Sequence, residues 1–371
     1  MKLVCQKDKI LKALNSVIKA VASKTTMPIL EGILIRTNDN EIKLTTYDLE
    51  IGIEYIMEAE VKEQGCTVVN AIMFSEIIRK LPDTEINITI NESNLLVIEC
   101  EGSLYKLATM NPEEFPELPK IEVENAITIE QNTLRNMIRK TIFATSIEEN
   151  RPIFTGCLFQ TIDNKLNVVA VDGFRLAWNS TILNNKTNTF SAVIPGKTLN
   201  EVNKIISDSF DPIQIGVSKN QALFEMDNCK IVTRLLDGEF LNYQNVIPEK
   251  WETRVRANKN NLQDCFERIS LISASSTEKE KKYPVKVMVD IGKVTISCTN
   301  QTGDAKEELY VSTEGTNLEA GFNPKYFLDA LKVIEDEEIF VDFGSNISPC
   351  VIRPVGEGDY TYMILPIRLK E

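Results

Sequence analysis

Apolar residues in this chain follow two spacings, and the order of the spacings repeats three times. The N-terminal stretch runs Leu3-Val-Cys-Gln-Lys-Asp-Lys-Ile10-Leu-Lys-Ala-Leu14. The pattern returns as Ile127-Thr-Ile-Glu-Gln-Asn-Thr-Leu134-Arg-Asn-Met-Ile138 and as Val255-Arg-Ala-Asn-Lys-Asn-Asn-Leu262-Gln-Asp-Cys-Phe266. Alternation gives way to i, i+3, i+4 spacing in each copy, which predicts a short strand, a polar turn and an amphipathic helix. A second helical unit recurs half a repeat later, at Phe74–Leu81, Leu199–Ile206 and Phe327–Ile334. Equivalent positions lie 124 and 128 residues apart for the first helix, and 125 and 128 apart for the second. Two independent elements with nearly one period predict a threefold tandem, with domains at 1–125, 126–252 and 253–371. Each is large enough for its own core, and the period is too long for a solenoid.

Strand patterns fill the rest of each repeat. Ile33–Thr37, Glu41–Tyr47, Ile86–Ile90, Leu95–Cys100, Lys165–Val171, Ile213–Val217, Ala222–Met226 and Val294–Cys298 alternate, or run apolar with β-branched residues. Turn-forming stretches such as Asn38-Asp-Asn-Glu41 and Asn91-Glu-Ser-Asn94 separate them. Two helices with about eight antiparallel strands per repeat is an α+β arrangement, with helices covering one face of a sheet.

Composition narrows the function. At 43% hydrophobic and 26% charged the chain is of ordinary globular type. No apolar run reaches the roughly 18 residues of a membrane span, and the N-terminus breaks its apolar run with charges, unlike a signal peptide. A cytoplasmic location is the expectation. None of the eight cysteines lies within four residues of another, so no paired zinc-ligand spacing exists and buried reduced thiols are expected. Histidine is absent, which removes Ser-His-Asp and Cys-His catalysis and His-ligated metals together. There is no phosphate-binding glycine loop and no nucleophile elbow. Neither a catalytic constellation nor a cofactor or metal site is expected.

Charge is divided by structural element. The net charge is −13, yet the six predicted helical windows hold thirteen basic residues against six acidic ones. In the first helix Ile10, Leu11, Leu14, Val17 and Ile18 form the apolar stripe, and Lys9, Lys12 and Lys19 fall largely off it. Basic helices on one side of acidic sheets suit a ring with a positively lined hole.

The chain also resembles a known family along its whole length. Met27-Pro-Ile-Leu30, Thr46-Tyr-Asp-Leu-Glu50, Glu114-Phe-Pro-Glu-Leu-Pro119, Val169-Ala-Val-Asp-Gly-Phe-Arg-Leu-Ala177, Val193-Ile-Pro-Gly-Lys197, Leu236-Asp-Gly-Glu-Phe-Leu-Asn-Tyr243, Gly321-Phe-Asn-Pro-Lys-Tyr326 and Tyr362-Met-Ile-Leu-Pro-Ile-Arg-Leu369 occur in the order found in bacterial DNA sliding clamps, the beta subunits of DNA polymerase III. The resemblance implies three DNA-clamp domains per chain and a head-to-tail homodimer forming a six-domain ring. Such a ring encircles double-stranded DNA without reading its sequence. It tethers the polymerase III alpha subunit, and binds the clamp loader and other proteins carrying short clamp-binding peptides. A peptide-binding scaffold that does not encircle DNA is the alternative. A carboxylate-dependent hydrolase would need paired acids, and none recurs in the repeats.

Site residues follow by position. Lys24 and Arg151 match basic DNA-touching loop positions of the family, and Arg79, Arg139 and Lys204 are added from the basic helices. The partner-peptide pocket, between the second and third domains, would be lined by Phe154, Val171, Gly173, Phe174, Arg175, Leu176, Leu241 and Val246. Asn323, Tyr326, Met363, Ile364, Leu365, Pro366, Ile367 and Arg368 would complete it. Met363–Ile367 alternatively reads as a buried C-terminal strand. Leu241, Asn245 and Phe174 stand where the family usually has proline, arginine and histidine. The ring interface would match Tyr105 and Leu107 on one side with Leu271 and Ile272 on the other, although each also reads as core. Glu278-Lys-Glu-Lys-Lys282 reads as a solvated loop.

Overall fold

The structure is a computed structural model that describes residues 1–119, 121, 125–148, 150–184, 189–226, 228–273, 284–301, 303–356 and 358–369. The predicted loop at 278–282 lies outside the described residues. Among the described residues six α-helices form: α1 (Lys7–Val17), α2 (Ala71–Lys80), α3 (Gln131–Arg139), α4 (Gly196–Ile205), α5 (Lys259–Ser273) and α6 (Pro324–Leu331). All six fall within the predicted windows or begin a few residues before them. The polar turn expected ahead of α1, α3 and α5 does not exist. The strands Lys2–Gln6, Asn125–Glu130 and Thr253–Asn258 run directly into those helices. The polar residues instead supply the first helical turn, where N–H groups have no partner within the helix. Asn258 shows this, its side-chain oxygen accepting from the Asn261 N–H at 3.0 Å.

The apolar stripes pack as their spacing requires. Ile10, Ala13, Leu14 and Val17 of α1 are buried, as are Phe74 and Ile78 of α2. In the third repeat Phe266 of α5 stacks on Phe327 of α6 with ring centroids 4.4 Å apart. Fully burying each such side chain contributes about 1.5–3 kcal/mol. Asn70 and Asn323 cap α2 and α6 through the N–H groups of Met73 and Lys325.

The three sequence repeats gather into two compact units. One comprises Met1–Asn132 and Lys204–Leu235, and the other Thr133–Asn203 and Leu236–Glu371. The middle repeat is shared because strand pairing crosses repeat boundaries. In the first unit Ile51–Glu58 pairs antiparallel with Cys229–Arg234, Ile53 opposite Ile231. In the second unit Arg175–Ile182 pairs with Tyr360–Ile364, Leu176 opposite Met363. Each pairing satisfies backbone groups that an edge strand would leave open. The first unit thereby holds a thirteen-stranded sheet, and the second holds sheets of nine and four strands.

Two eight-residue strands keep an open edge. Ser103–Met110 pairs along its length with Leu95–Cys100, but on its other side only Thr109 and Met110 are paired. Gly303–Tyr310 is one of the two outermost strands of the four-stranded sheet.

All eight thiols are free and all but Cys66 are buried. Burial pushes the thiols of Cys5, Cys157 and Cys229 up to about 12, which keeps them protonated and inert at neutral pH. No helix among the described residues is long and apolar enough to cross a membrane.

Candidate functional site

The candidate pocket lies entirely within the second unit and is organised by one turn. Between the strands Lys165–Val171 and Arg175–Ile182, the Asp172 carboxylate accepts from the N–H groups of Phe174 at 2.9 Å and Arg175 at 3.0 Å. Gly173 takes φ +91° with open space where a Cβ would stand, a conformation that glycine adopts without strain. The turn sends two neighbouring side chains to opposite fates. Phe174 is 59% exposed, its ring nearly parallel to that of Tyr326 at 6.5 Å. Arg175 is buried and its guanidinium is fully engaged. It donates to Asp172 (3.0 Å), Asp329 (2.6 Å) and the Phe143 carbonyl (2.6 Å), and lies over the rings of Tyr326 and Phe143. Arg175 is therefore a brace between the turn, α6 and the Ile142–Ala144 turn rather than a contact surface. Of the two predicted arginines, only Arg368 is exposed. Burial, followed by the Asp172 charge, raises the Tyr326 phenol above its ordinary range.

Beneath the turn, Val171, Leu176 and Met363 share a buried cluster with Leu158, Val169, Val193, Tyr243 and Val351. Half-buried Phe154 and Leu241 pack against it, and Phe154 meets Phe240 edge-on at 5.8 Å. Ile364 is buried on the opposite face of its strand, since neighbouring residues alternate. The alternative reading of a buried C-terminal strand thus holds for Tyr360–Ile364 and stops there. Beyond it, the Leu365 N–H donates to the Phe174 carbonyl and the Ile367 N–H to Gly321, both at 2.8 Å. A Cβ on Gly321 would stand 2.6 Å from the Ile367 carbonyl oxygen, so this close approach requires glycine. Asn323 is occupied in capping α6. Val246 and Ile367 remain substantially exposed. The sequence reading omitted Leu158, Trp178, Tyr243 and Ile247 from these walls. Period-two alternation from Leu176 would have found Trp178.

The basic candidates separate into two groups. Lys24 and Arg151 are exposed, each just before a short helical turn, Pro28–Glu31 and Pro152–Thr155, and neither has an ion-pair partner among the described residues. Lys204 is exposed on α4. Arg79 pairs with Glu76 one turn earlier, and Arg139 pairs with Glu335. Those two cations are partly neutralised within the chain. Lys9, Lys140 and Arg268 are likewise paired, with Glu58, Asp359 and Glu307, so the basic bias of the helices overstates their available charge.

Among the interface candidates, Leu271 is 72% exposed, Tyr105 is 41% exposed and Ile272 is half-buried. Leu107 instead turns into its own core at 7%, while Leu104, not singled out from sequence, is 56% exposed on the open strand. No group of three or more potential metal ligands occurs among the described residues.

Comparison with known proteins decides the family. The chain matches the DNA polymerase III beta subunit N-terminal domain over residues 1–119, the central domain over 128–242 and the C-terminal domain over 244–368. The chain belongs to the DNA polymerase III beta subunit family. It is 34% identical to the beta sliding clamp of Staphylococcus epidermidis and 32% identical to that of Staphylococcus aureus, each over 99% of both chains. Among solved structures, the DNA polymerase sliding clamp of Bacillus subtilis is 33% identical with a TM-score of 0.95, and the beta subunit of Thermotoga maritima is 28% identical with a TM-score of 0.92. Both alignments cover 100% of each chain. The beta subunit fold, three tandem clamp domains of helices on antiparallel sheets, is thus that of this chain.

Proposed function

We propose that this chain is a DNA sliding clamp: two copies close head to tail into a ring around duplex DNA and hold the replicative polymerase there. The observation that carries the reading is the pair of open eight-residue strands, Ser103–Met110 in the first unit and Gly303–Tyr310 in the second, on a chain that matches sliding clamps end to end. The first edge presents Leu104, Tyr105 and Lys106, and the second presents Asp304, Lys306, Glu308 and Tyr310, with exposed Leu271 on α5 of the same unit. Pairing such edges between copies extends two sheets into one and covers apolar side chains. A heterologous interface of this kind either closes or forms a filament, and closure of two three-domain chains gives six domains. The domain limits we assign are 1–125, 126–252 and 253–371.

Topological linkage makes tight or base-specific contact unnecessary. Scattered cations such as Lys24, Arg151 and Lys204 attract the backbone through phosphate charge and still permit sliding. The turn at Asp172–Arg175, the apolar cluster beneath it and the C-terminal segment suit short extended peptides with hydrophobic anchors. Those peptides would come from the polymerase III alpha subunit, the clamp loader and other replication and repair proteins. The role contains no catalytic step and is exercised where bacterial DNA is copied, in the cytoplasm.

Retention on DNA tests the proposal. The protein is loaded by a clamp loader onto a nicked circle, which is then cut. Retention on the circle and loss after linearisation is the expected result. Equal retention on both forms would mean ordinary contact binding and overturn the ring, and retention on neither would favour the peptide scaffold.

A further inference from the structure

We infer that the peptide groove continues past the Tyr243–Asn245 turn into a second subsite, floored by Trp178 and Thr361 and ended by Arg353, which receives an apolar side chain followed by a carboxylate from an extension of the partner peptide. The inference rests on the peptide-pocket reading above.

Strand register places this surface. Leu176 stands opposite Met363 in the pocket floor, and the next pair on the same face is Trp178 opposite Thr361. Two residues advance a strand by about 6.8 Å and return to the same face. Val351 lies opposite Met363 on the far side, so Arg353, two residues on, emerges on this face as well. One continuous sheet face thus carries the pocket floor and, a single step along, an indole, a hydroxyl and a guanidinium.

A cavity of about 300 Å³ is present there, with Trp178, Ile247, Pro248, Arg353 and Thr361 among its lining. A neighbouring one of about 430 Å³ shares Arg353 and Thr361 and reaches Arg254 and Tyr360. The connection to the first pocket runs over an exposed turn, on which Val246 belongs to the predicted pocket lining and Gln244 lines the cavity. Trp178 also packs against the same buried cluster as Leu176 and Met363.

The residues define what the subsite takes. The Trp178 indole N–H is committed to Asn167 at 3.0 Å, which fixes the ring and leaves its face for an apolar contact. Beyond it, Arg254 holds Asp342 through two bonds at 2.6 and 2.8 Å. Arg353 pairs with that carboxylate only at 3.9 Å, its Nε is buried without a hydrogen bond, and its guanidinium donates to the Pro248 carbonyl. Asp342 is thus hydrogen-bonded to Arg254, and Arg353, half-exposed, shares that carboxylate only at ion-pair distance. A carboxylate seated there would form the charge-assisted pair that the chain does not supply. Glu249, also in the lining, is exposed, so a peptide carboxylate has reason to lie at the Arg353 end.

The test uses the full-length protein and synthetic peptides in fluorescence anisotropy. One is a short hydrophobic clamp-type peptide. Two others carry Phe-Ser-Asp added at the N- or C-terminus, and control peptides carry Ala-Ser-Ala at the same ends. One Phe-Ser-Asp peptide should bind about tenfold more tightly than its control, near 1.4 kcal/mol. Arg353→Gln should erase most of that gain while leaving short-peptide affinity within about twofold, and Trp178→Ala, which also touches the first pocket, should weaken the extended peptide more than the short one. A bound short peptide with no gain from either extension overturns the inference alone. Equal weakening of short and extended peptides by both variants overturns it too, since that marks a purely structural role. A short peptide that does not bind at all removes the pocket reading and the inference together.

Discussion

Arg175 shows how a single side chain changes meaning between sequence and structure. By position it lines the pocket; in the folded chain it is buried, with Asp172 three residues away and Asp329 154 residues away as its carboxylate partners. Replacing it by alanine would strand two largely buried carboxylates and the Phe143 carbonyl. The expected cost is about 3 kcal/mol, read as a lower urea midpoint, and an unchanged midpoint would show that the brace contributes nothing. The position of Arg175 in the site was legible because the Val169–Ala177 motif carries it. Its role as a brace was not, because Asp329 arrives from α6 and no local pattern announces that contact. The pairing of Arg139 was hidden for the same reason: its partner Glu335 lies 196 residues away.

At the level of elements, the segment after the last strand decides whether the pocket is complete. Leu365 and Ile367 are tied by backbone hydrogen bonds to Phe174 and Gly321, so this stretch is held in place without belonging to the nine-stranded sheet. Ending the chain after Ile364 keeps the strand Tyr360–Ile364 and its pairing, but removes Leu365, Pro366, Ile367 and Arg368. Peptide affinity should fall at least tenfold, by about 1.4 kcal/mol or more, while the homodimer persists in sedimentation. Retained affinity would place the peptide elsewhere. Helices were the elements read most accurately, because a 3.6-residue apolar stripe is a local signal. The strand-to-helix junctions were misread as turns. Polar residues mark both a loop and an unpaired first helical turn, and spacing alone does not separate them.

For the whole molecule, the charge division predicts how the ring meets DNA. Reversing Lys24 and Arg151 to glutamate should reduce loading and flatten its salt dependence, with the slope of log affinity against log salt falling by about 2 for each copy that loses its two phosphate contacts. Dimerisation, measured by sedimentation, should be unaffected; an unchanged salt slope would remove these two residues from the DNA path. Sequence by itself determined the threefold repeat, the α+β class, the buried thiols and the apolar helix faces. All of these are written in periods of two to four residues or in one long period of about 125, and survive without knowing any contact. Tertiary structure alone decided that three repeats become two compact units, that Leu107 turns inward while Leu104 faces out, that helix cations such as Lys9, Arg79, Arg139 and Arg268 are paired and that Trp178 and Arg353 share a face with the pocket floor. Those outcomes depend on strand register between segments more than a hundred residues apart, or on which carboxylate a long side chain meets. Hydrophobic patterning specifies which face is buried; it does not specify the neighbour against which that face is buried.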